Sequence, residues 1–222
     1  MKAMILAAGR GERLRPLTDR CPKPLVKVGN RPLIFWHLEK LKACGITEVV
    51  VNSAYLSEMI VSALGDGSSF GMHIRHKVED VPGLETAGGI INALDVLGDE
   101  PFLVINGDIF IDADYSQFIR KIPAASLGFL FMTDNPPEHL QGDFSLNNGL
   151  VCRGSELTFS GAAIYKPQAF FNLKIERMPL KPLFLKWLEA KTLYGTKLEG
   201  KWFDVGSLDR LHRVEAYLKS KE

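Results

Sequence analysis

The chain has little cysteine, no excess of either charge and no long apolar run, and each shortage closes a class of proteins. Its three cysteines, Cys21, Cys44 and Cys152, are an odd set without Cys-x-x-Cys spacing. Neither a disulfide framework nor a cysteine-rich zinc site is indicated, and a reducing cytoplasm is expected. Lys plus Arg number 27 against 26 Asp plus Glu, a formal net charge of +1. That balance removes the whole-molecule field of a dedicated nucleic-acid or membrane-surface binder, so any anion must be held locally. The apolar stretch from Ala3 to Ala8 stops at Gly9-Arg10-Gly11. It is too short for a signal-peptide core and far short of the ~20 residues that cross a bilayer, and reads as a buried first strand. The five histidines (His37, His73, His76, His139 and His212) lack His-x-x-x-His spacing and are expected at surface or half-buried positions without a metal. Neither a repeat nor a low-complexity tract is present.

What is present is 222 residues, 46% hydrophobic, enough for one domain that buries roughly 70% of its unfolded surface. Short apolar runs alternate with helical patterns along the first 130 or so residues, the signature of βαβ units around a parallel sheet. Strands are expected at 2–8, 48–52, 73–78, 102–106 and 127–133. The clearest helix has Asn30 as N-cap, Pro32 in its first turn and Gly45 as its stop; helices at 55–64 and 86–97 close on Gly65 and Gly98. Beyond residue 134, turn signals at Asn135-Pro136-Pro137, Asn147-Asn148-Gly149 and Gly154-Ser155 punctuate short apolar segments, as in antiparallel hairpins. Two further helices are expected at 182–191 and 207–219.

The opening Leu6-Ala7-Ala8-Gly9-Arg10-Gly11-Glu12-Arg13 follows a strand directly, and its glycines let backbone N–H groups approach a phosphate. No Gly-Lys-Ser/Thr closes a Walker loop, and Leu14 stands where a dinucleotide fingerprint needs its third glycine. An NAD enzyme would also need an acid after the second strand, where Val51-Asn52-Ser53 stands. Prolines on both sides of Lys23 display that cation from a stiff loop.

Arg13-Leu14-Arg15-Pro16-Leu17-Thr18 and Pro22-Lys23-Pro24 complete a pattern that resembles the signature of the sugar-1-phosphate nucleotidyltransferases, the nucleotide-sugar pyrophosphorylases. Three further segments resemble that family in its order: Leu84-Glu85-Thr86-Ala87-Gly88-Gly89, Asn106-Gly107-Asp108, and Trp202-Phe203-Asp204-Val205-Gly206. The resemblance implies a Rossmann-like, GT-A-like α/β fold: a mixed, mainly parallel sheet flanked by helices, with a smaller antiparallel sugar-binding insert. It implies one domain in three parts, a nucleotide-binding core (1–133), a sugar-binding part (134–200), and a metal-ligand strand with the C-terminal helix (201–222).

The implied reaction is attack of a sugar 1-phosphate on the α-phosphorus of a nucleoside triphosphate, releasing pyrophosphate. The nucleophile is already ionised near neutral pH, so no general base is required; charge must be stabilised by metal, cations and backbone donors. The resemblance assigns Mg²⁺ to Asp108 and Asp204, catalytic roles to Arg13, Lys23 and Asp108, and the nucleotide to Ala7, Ala8, Gly9, Gly11, Glu12, Arg13, Lys23, Glu79, Glu85 and Gly88. Asn106, Asp143 and Ser160 are expected at the sugar phosphate. Within the family, Gly142-Asp143-Phe144 and Phe159-Ser160-Gly161 are most similar to the bacterial branch that joins UTP to N-acetylmuramic acid α-1-phosphate in peptidoglycan recycling. Arg153 or another cation of the insert is expected to meet the lactyl carboxylate of that sugar. A guanylyltransferase for mannose 1-phosphate and a non-catalytic nucleotide-sugar-binding module are the alternatives. Partners are then small molecules alone, with neither nucleic acid nor membrane, and a monomer is expected.

Overall fold

The computed structural model describes residues 1–221. Its first half runs β1 (Ala3–Leu6), β2 (Lys27–Val28), β3 (Arg31–Pro32), α1 (Leu33–Ala43), β4 (Glu48–Ser53), α2 (Ser57–Leu64), β5 (His73–Val78), α3 (Glu85–Leu97), β6 (Phe102–Asn106) and β7 (Ile109–Asp112). Then follow β8 (Gly128–Asp134), β9 (Phe144–Asn147), β10 (Leu150–Tyr165), α4 (Lys181–Glu189), β11 (Leu193–Lys197), β12 (Lys201–Asp204) and α5 (Leu208–Lys219).

The principal sheet has the order β11-β8-β10-β6-β1-β4-β5, with β9 paired to β10. β6, β1, β4 and β5 are parallel to one another, and β11 is parallel to β8, while β10 runs antiparallel to both β6 and β8. The expected mixed, mainly parallel α/β class is what the chain adopts. The antiparallel part grows out of this sheet: β10 slots between β8 and β6, and only its first half turns away to pair with β9.

Strand periodicity sorts the core. Ala3, Ile5, Val49, Val51, Leu103 and Ile105 face α1 and α2 through Ile34, Leu38, Leu41, Ile60 and Leu64. The alternate residues Met4, Val50, Phe102 and Val104 face α3 and α4 through Ile90, Leu97, Phe184 and Trp187. A third cluster seats α5 through Leu211 and Val214 on Val28, Leu33, Phe110 and Val205. Truncating one such buried leucine to alanine costs about 2–5 kcal/mol, so this framework holds its strand ends firmly.

Two expectations need correction. Asn30 does not cap α1: Val28 and Arg31 pair across a tight hairpin, Gly29 takes φ +63°, and Pro32 immediately precedes the helix. The chain must turn back beside β2 before the helix can begin, so Asn30 is spent on the turn. His37 is fully buried and not at the surface, because its ring fills the gap between α1 and β7 and finds a partner for each nitrogen. Among the described residues no helix is long and apolar enough to cross a membrane.

Candidate active site

Where β1 ends, the Ala7 N–H donates to Asn52 Oδ1 (3.0 Å) at the end of β4. The Asn52 amide donates onward to Glu79 Oε1 (2.8 Å), and Glu79 Oε2 accepts the Leu84 N–H (2.8 Å). One buried amide thus ties together the loops that follow three parallel strands. Ala7 and Glu79 are used in this brace, and neither lines the cleft it supports. That cleft, about 250 Å³, is walled by Ala8, Gly9, Lys23, Asn52, Gly83, Glu85, Thr86, Asn106 and Asp108. It lies at the carboxyl ends of β1, β4 and β6, where open α/β sheets receive ligands.

The glycine loop is held from outside the cleft. Arg10 and Arg15 both pair with Asp19, at 3.1 and 2.7 Å, and Thr18 Oγ1 donates to the Gly11 carbonyl (2.8 Å). Gly11 has φ +70°, and a Cβ there would press on Thr18 and on Lys23 at 3.0 and 3.2 Å. Its glycine therefore serves the loop's closure. Glu12 is exposed on the outer side. Gly9, by contrast, has nothing within 4 Å of where a Cβ would stand, so its bare backbone faces open space in the cleft.

The start of α3 is arranged differently from a bare phosphate-binding helix end. The N–H groups of Ala87 and Gly88 both donate to the Met178 carbonyl, at 3.0 and 3.2 Å. A Cβ on Gly88 would sit 2.2 Å from the Glu176 carbonyl oxygen, so this glycine admits a packed chain segment and does not line the cleft. Glu85 does line it, in a left-handed conformation (φ +59°), with its carboxylate 2.9 Å from Arg177.

Asp108 and Asp204 meet because β7 and β12 form a two-stranded antiparallel ribbon that pairs Asp204 with Ile109. The Val205 N–H donates to the Asp108 carbonyl (2.9 Å), fixing the register beside the site. Lys23, almost fully buried, reaches Asp108 Oδ2 at 2.6 Å, and Arg210 from α5 grips Asp204 Oδ2. Burial pushes the Asp204 carboxyl above its usual range, and the neighbouring Asp108 charge pushes the same way, while Lys23, Arg210 and Arg13 oppose the rise. A half-buried carboxylate whose ionisation is opposed by burial and by a neighbouring carboxylate calls for a nearby cation. No set of three or more His, Cys, Asp and Glu side chains able to hold a metal occurs among the described residues. The pair fits a hard divalent ion that takes its remaining ligands from phosphate oxygens and water.

A second cleft, about 400 Å³, is walled by Arg13, Asn106, Asp108, Glu138, His139, Thr158, Ser160, Gly161, Asp204 and Arg210. It shares Asn106 and Asp108 with the first, so the two clefts meet at the same carboxylate. The register of β10 shifts between Phe159 and Ala162, and Gly161 takes φ +83° there. This irregularity brings Ser160 and Gly161 into the wall; a Cβ on Gly161 would stand 2.7 Å from the Asn106 amide nitrogen. Ser160 is held by its own neighbours: its carbonyl accepts from Trp202 Nε1 (2.7 Å), and Oγ accepts the Ala162 N–H (3.2 Å). Asp143 stands behind the wall, accepting the Phe159 N–H (2.9 Å) and lying 3.2 Å from His139 Nε2.

The expected residues Arg13, Lys23, Asn106, Asp108, Ser160 and Asp204 therefore converge. Arg153 does not: it pairs with Glu189 at 3.0 Å on the far surface, with most of its side chain in water. Its strand twists away with β9 before reaching the cleft. Three participants were invisible to motif reading. In the sequence Asn52 reads only as a missing acid, and Glu138 and Arg210 lie in segments without a motif; the helical phase of α5, with Leu211 and Val214 turned inward, is the one local signal that sets Arg210 at its edge.

The sequence profile described as nucleotidyl transferase matches residues 2–142. The chain is 46% identical to the N-acetylmuramate alpha-1-phosphate uridylyltransferase of Neisseria meningitidis serogroup B, with 97% of each chain covered. It is 35% identical to a mannose-1-phosphate guanyltransferase of Candida albicans over 93% of its own length, but spans only 61% of that relative. The crystal structure of a candidate glucose-1-phosphate thymidylyltransferase from Bacillus anthracis superposes with a TM-score of 0.87 at 25% identity, covering 98% of this chain and 94% of that one. With the glycine loop, the stiff lysine and the paired carboxylates assembled around two joined clefts, the chain belongs to the nucleotidyl transferase family, as a sugar-1-phosphate nucleotidyltransferase.

Proposed function

We propose that this enzyme transfers the uridylyl group of UTP to N-acetylmuramic acid α-1-phosphate, giving UDP-N-acetylmuramic acid and pyrophosphate, in bacterial peptidoglycan recycling in the cytoplasm. The observation that carries the reaction is the convergence of the two clefts on Asp108. One cleft takes the triphosphate and the other the sugar phosphate, so nucleophile and α-phosphorus meet at that carboxylate. The choice of substrates is supported by the near full-length likeness to the Neisseria uridylyltransferase. In this reading residues 1–133 supply the nucleotide cleft, 134–200 half of the sugar cleft's wall, and 201–222 the second carboxylate.

The backbone at Ala8 and Gly9 receives the triphosphate, whose approach the absent Cβ permits. Arg13, which lines the second cleft beside Asp108, reaches the β and γ phosphates from where the two clefts join and stabilises the departing pyrophosphate. Lys23, held in place by its proline-flanked loop, neutralises charge on the α-phosphoryl group. Asn106, Asp143 and Ser160 shape the sugar subsite, the last two by fixing the β10 irregularity. Asp108 and Asp204 would hold Mg²⁺, which supplies Lewis-acid stabilisation of the phosphoryl oxygens when bound. Orientation of two bound polyanions does the rest, since the attacking phosphate oxygen needs no deprotonation.

The test is pyrophosphate release with Mg²⁺ across UTP, GTP, CTP, ATP and dTTP against the 1-phosphates of N-acetylmuramic acid, N-acetylglucosamine, glucose and mannose. UTP with the muramic acid phosphate is the expected best pair. Another winning pair overturns the substrate assignment, and inactivity across the matrix with nucleotide still bound overturns the enzymatic reading in favour of a binding module.

A further inference from the structure

The second cleft holds a guanidinium that no role above employs. Arg210 sits in the first turn of α5 with only 16% of its side chain exposed. Its Nη1 bonds Asp204 Oδ2, and its Nε lies 3.2 Å from Glu138 Oε1. Glu138 is itself steadied by Arg213 at 3.0 Å. One carboxylate thus bonds the Arg210 fork and a second, from a different element, lies in ion-pair contact with it, and Nη2 makes no hydrogen bond among the described residues. Gly206 makes the arrangement possible: a Cβ there would stand 3.1 Å from Arg210 Nη1 and 3.0 Å from Arg13 Nη2.

The charge inventory of the cleft points the same way. Its walls carry Asp108, Asp204 and Glu138 against Arg13 and Arg210, with His139 beside them. A ligand bearing a phosphate, and in the favoured case a carboxylate as well, enters a cleft with more fixed anions than fixed cations. Two of those anions hold Arg210 in position for it. Lys23 lines only the first cleft; Arg13 lines this second cleft beside Arg210, and in the proposed function it is assigned to the triphosphate. Arg210 is the remaining strong donor on the sugar side, and a guanidinium is the group suited to a planar or tetrahedral oxyanion.

Resting on the reading of this cleft as the sugar-phosphate subsite, we propose that Arg210 binds an anionic oxygen group of the sugar substrate through Nη2, with Asp204 and Glu138 as the residues that position it. The anion is either the 1-phosphate or the lactyl carboxylate, and the two sources separate experimentally.

The experiment compares wild type, Arg210→Lys, Arg210→Gln and Glu138→Gln. For each, KM and kcat are measured with both N-acetylmuramic acid and N-acetylglucosamine 1-phosphates. Calorimetric Kd values for the two sugar phosphates are measured in the presence of a non-reacting UTP analogue. Arg210→Gln is expected to raise the KM and Kd for the sugar phosphate at least tenfold, with KM for UTP within twofold of wild type. Arg210→Lys recovers part of the loss, because it keeps the charge without the fork. A loss confined to the muramic acid substrate assigns the carboxylate; an equal loss for both sugars assigns the phosphate. Glu138→Gln, which keeps the arginine but frees it, gives a smaller rise with the same selectivity, and stands in if Arg210→Gln fails to fold.

Sugar-phosphate KM and Kd unchanged within twofold, with kcat or UTP affinity reduced instead, overturns the proposal and leaves Arg210 as a brace for Asp204. A wrong substrate assignment shows in the wild-type data, as preference for another pair. The variant comparison is then run on that pair, and the calorimetric arm reads binding without turnover.

Discussion

Lys23 Nζ stands 2.6 Å from Asp108 Oδ2, across 85 positions of chain, and the lysine is the more deeply buried of the two. Removing either partner should therefore have unequal structural consequences, although both are proposed to act in catalysis. Asp108→Asn leaves a buried ammonium without its nearest counter-charge and should lower stability by about 1–3 kcal/mol without metal. Lys23→Met places an apolar chain of similar length in the same slot and should cost less. Both should lose at least a hundredfold in kcat. Thermal melts in EDTA alongside pyrophosphate release check this; a Lys23→Met protein less stable than Asp108→Asn would show that the bond's structural role has been misread.

Chelation should abolish turnover and Mg²⁺ restore it. Mg²⁺ with UTP should raise the melting temperature of the wild type more than UTP alone. In Asp204→Asn that extra increment should shrink strongly, because one of the two carboxylates has lost its charge. An undiminished increment in the variant would remove Asp204 from the metal site.

Two glycines of the expected nucleotide loops should part company. Gly88→Ala drives a methyl into the Glu176 carbonyl, 2.2 Å away, and should destabilise by about 2–3 kcal/mol. Gly9→Ala meets no protein atom within 4 Å and should leave the melting temperature within about 2 °C while raising KM for UTP several-fold. Equilibrium unfolding and steady-state kinetics on both variants check the contrast; equal stability would show that the 174–178 segment yields freely.

His37 predicts an acid-sensitive fold. Its Nε2 faces the Ile109 carbonyl at 2.8 Å, so that nitrogen carries the proton and Nδ1 accepts from the Tyr115 hydroxyl at 2.7 Å. Burial holds the ring's pKa down at about 4, against 6.5 for a free histidine. Because the folded value is the lower one, unfolding takes up a proton below pH 6.5. The neutral ring's contribution is complete above pH 6.5 and is lost as pH falls toward 4, to a limit of about 3 kcal/mol. Urea unfolding in EDTA between pH 7.5 and 4.5 should show His37→Gln losing less stability on acidification than wild type. Parallel curves would refute the assignment.

The buried Asn52 amide serves the Ala7 N–H and Glu79 together. Asn52→Ala strands a buried donor and a buried carboxylate oxygen, and should cost about 2–4 kcal/mol. Hydrogen exchange should quicken first at Ala7 and Leu84, whose N–H groups belong to this brace; uniform quickening across the sheet would mean global loosening instead.

The alternation of strands and helices is legible in the residues alone, because each apolar run follows local periodicity and α1, α2 and α3 each stop at a glycine, Gly45, Gly65 or Gly98, that takes positive φ. The sequence by itself also restricts the backbone of the glycine loop and of the Lys23 segment, where glycines and prolines limit the conformation whatever surrounds them. An N-cap and a hairpin turn favour the same residue at Asn30, and the choice between them lies in the pairing of Val28 with Arg31. The tertiary structure alone decided that Asp204 lies beside Asp108, since that depends on the register of β12 on β7, a long-range pairing with no local signal. It also decided that Gly88 serves packing, that Arg153 faces water and that Arg210 faces the cleft. In each case the deciding partner, Glu176, Glu189 or Asp204, is brought near by folding and not by sequence, and the energy of a buried charge or a missing Cβ is set by that partner.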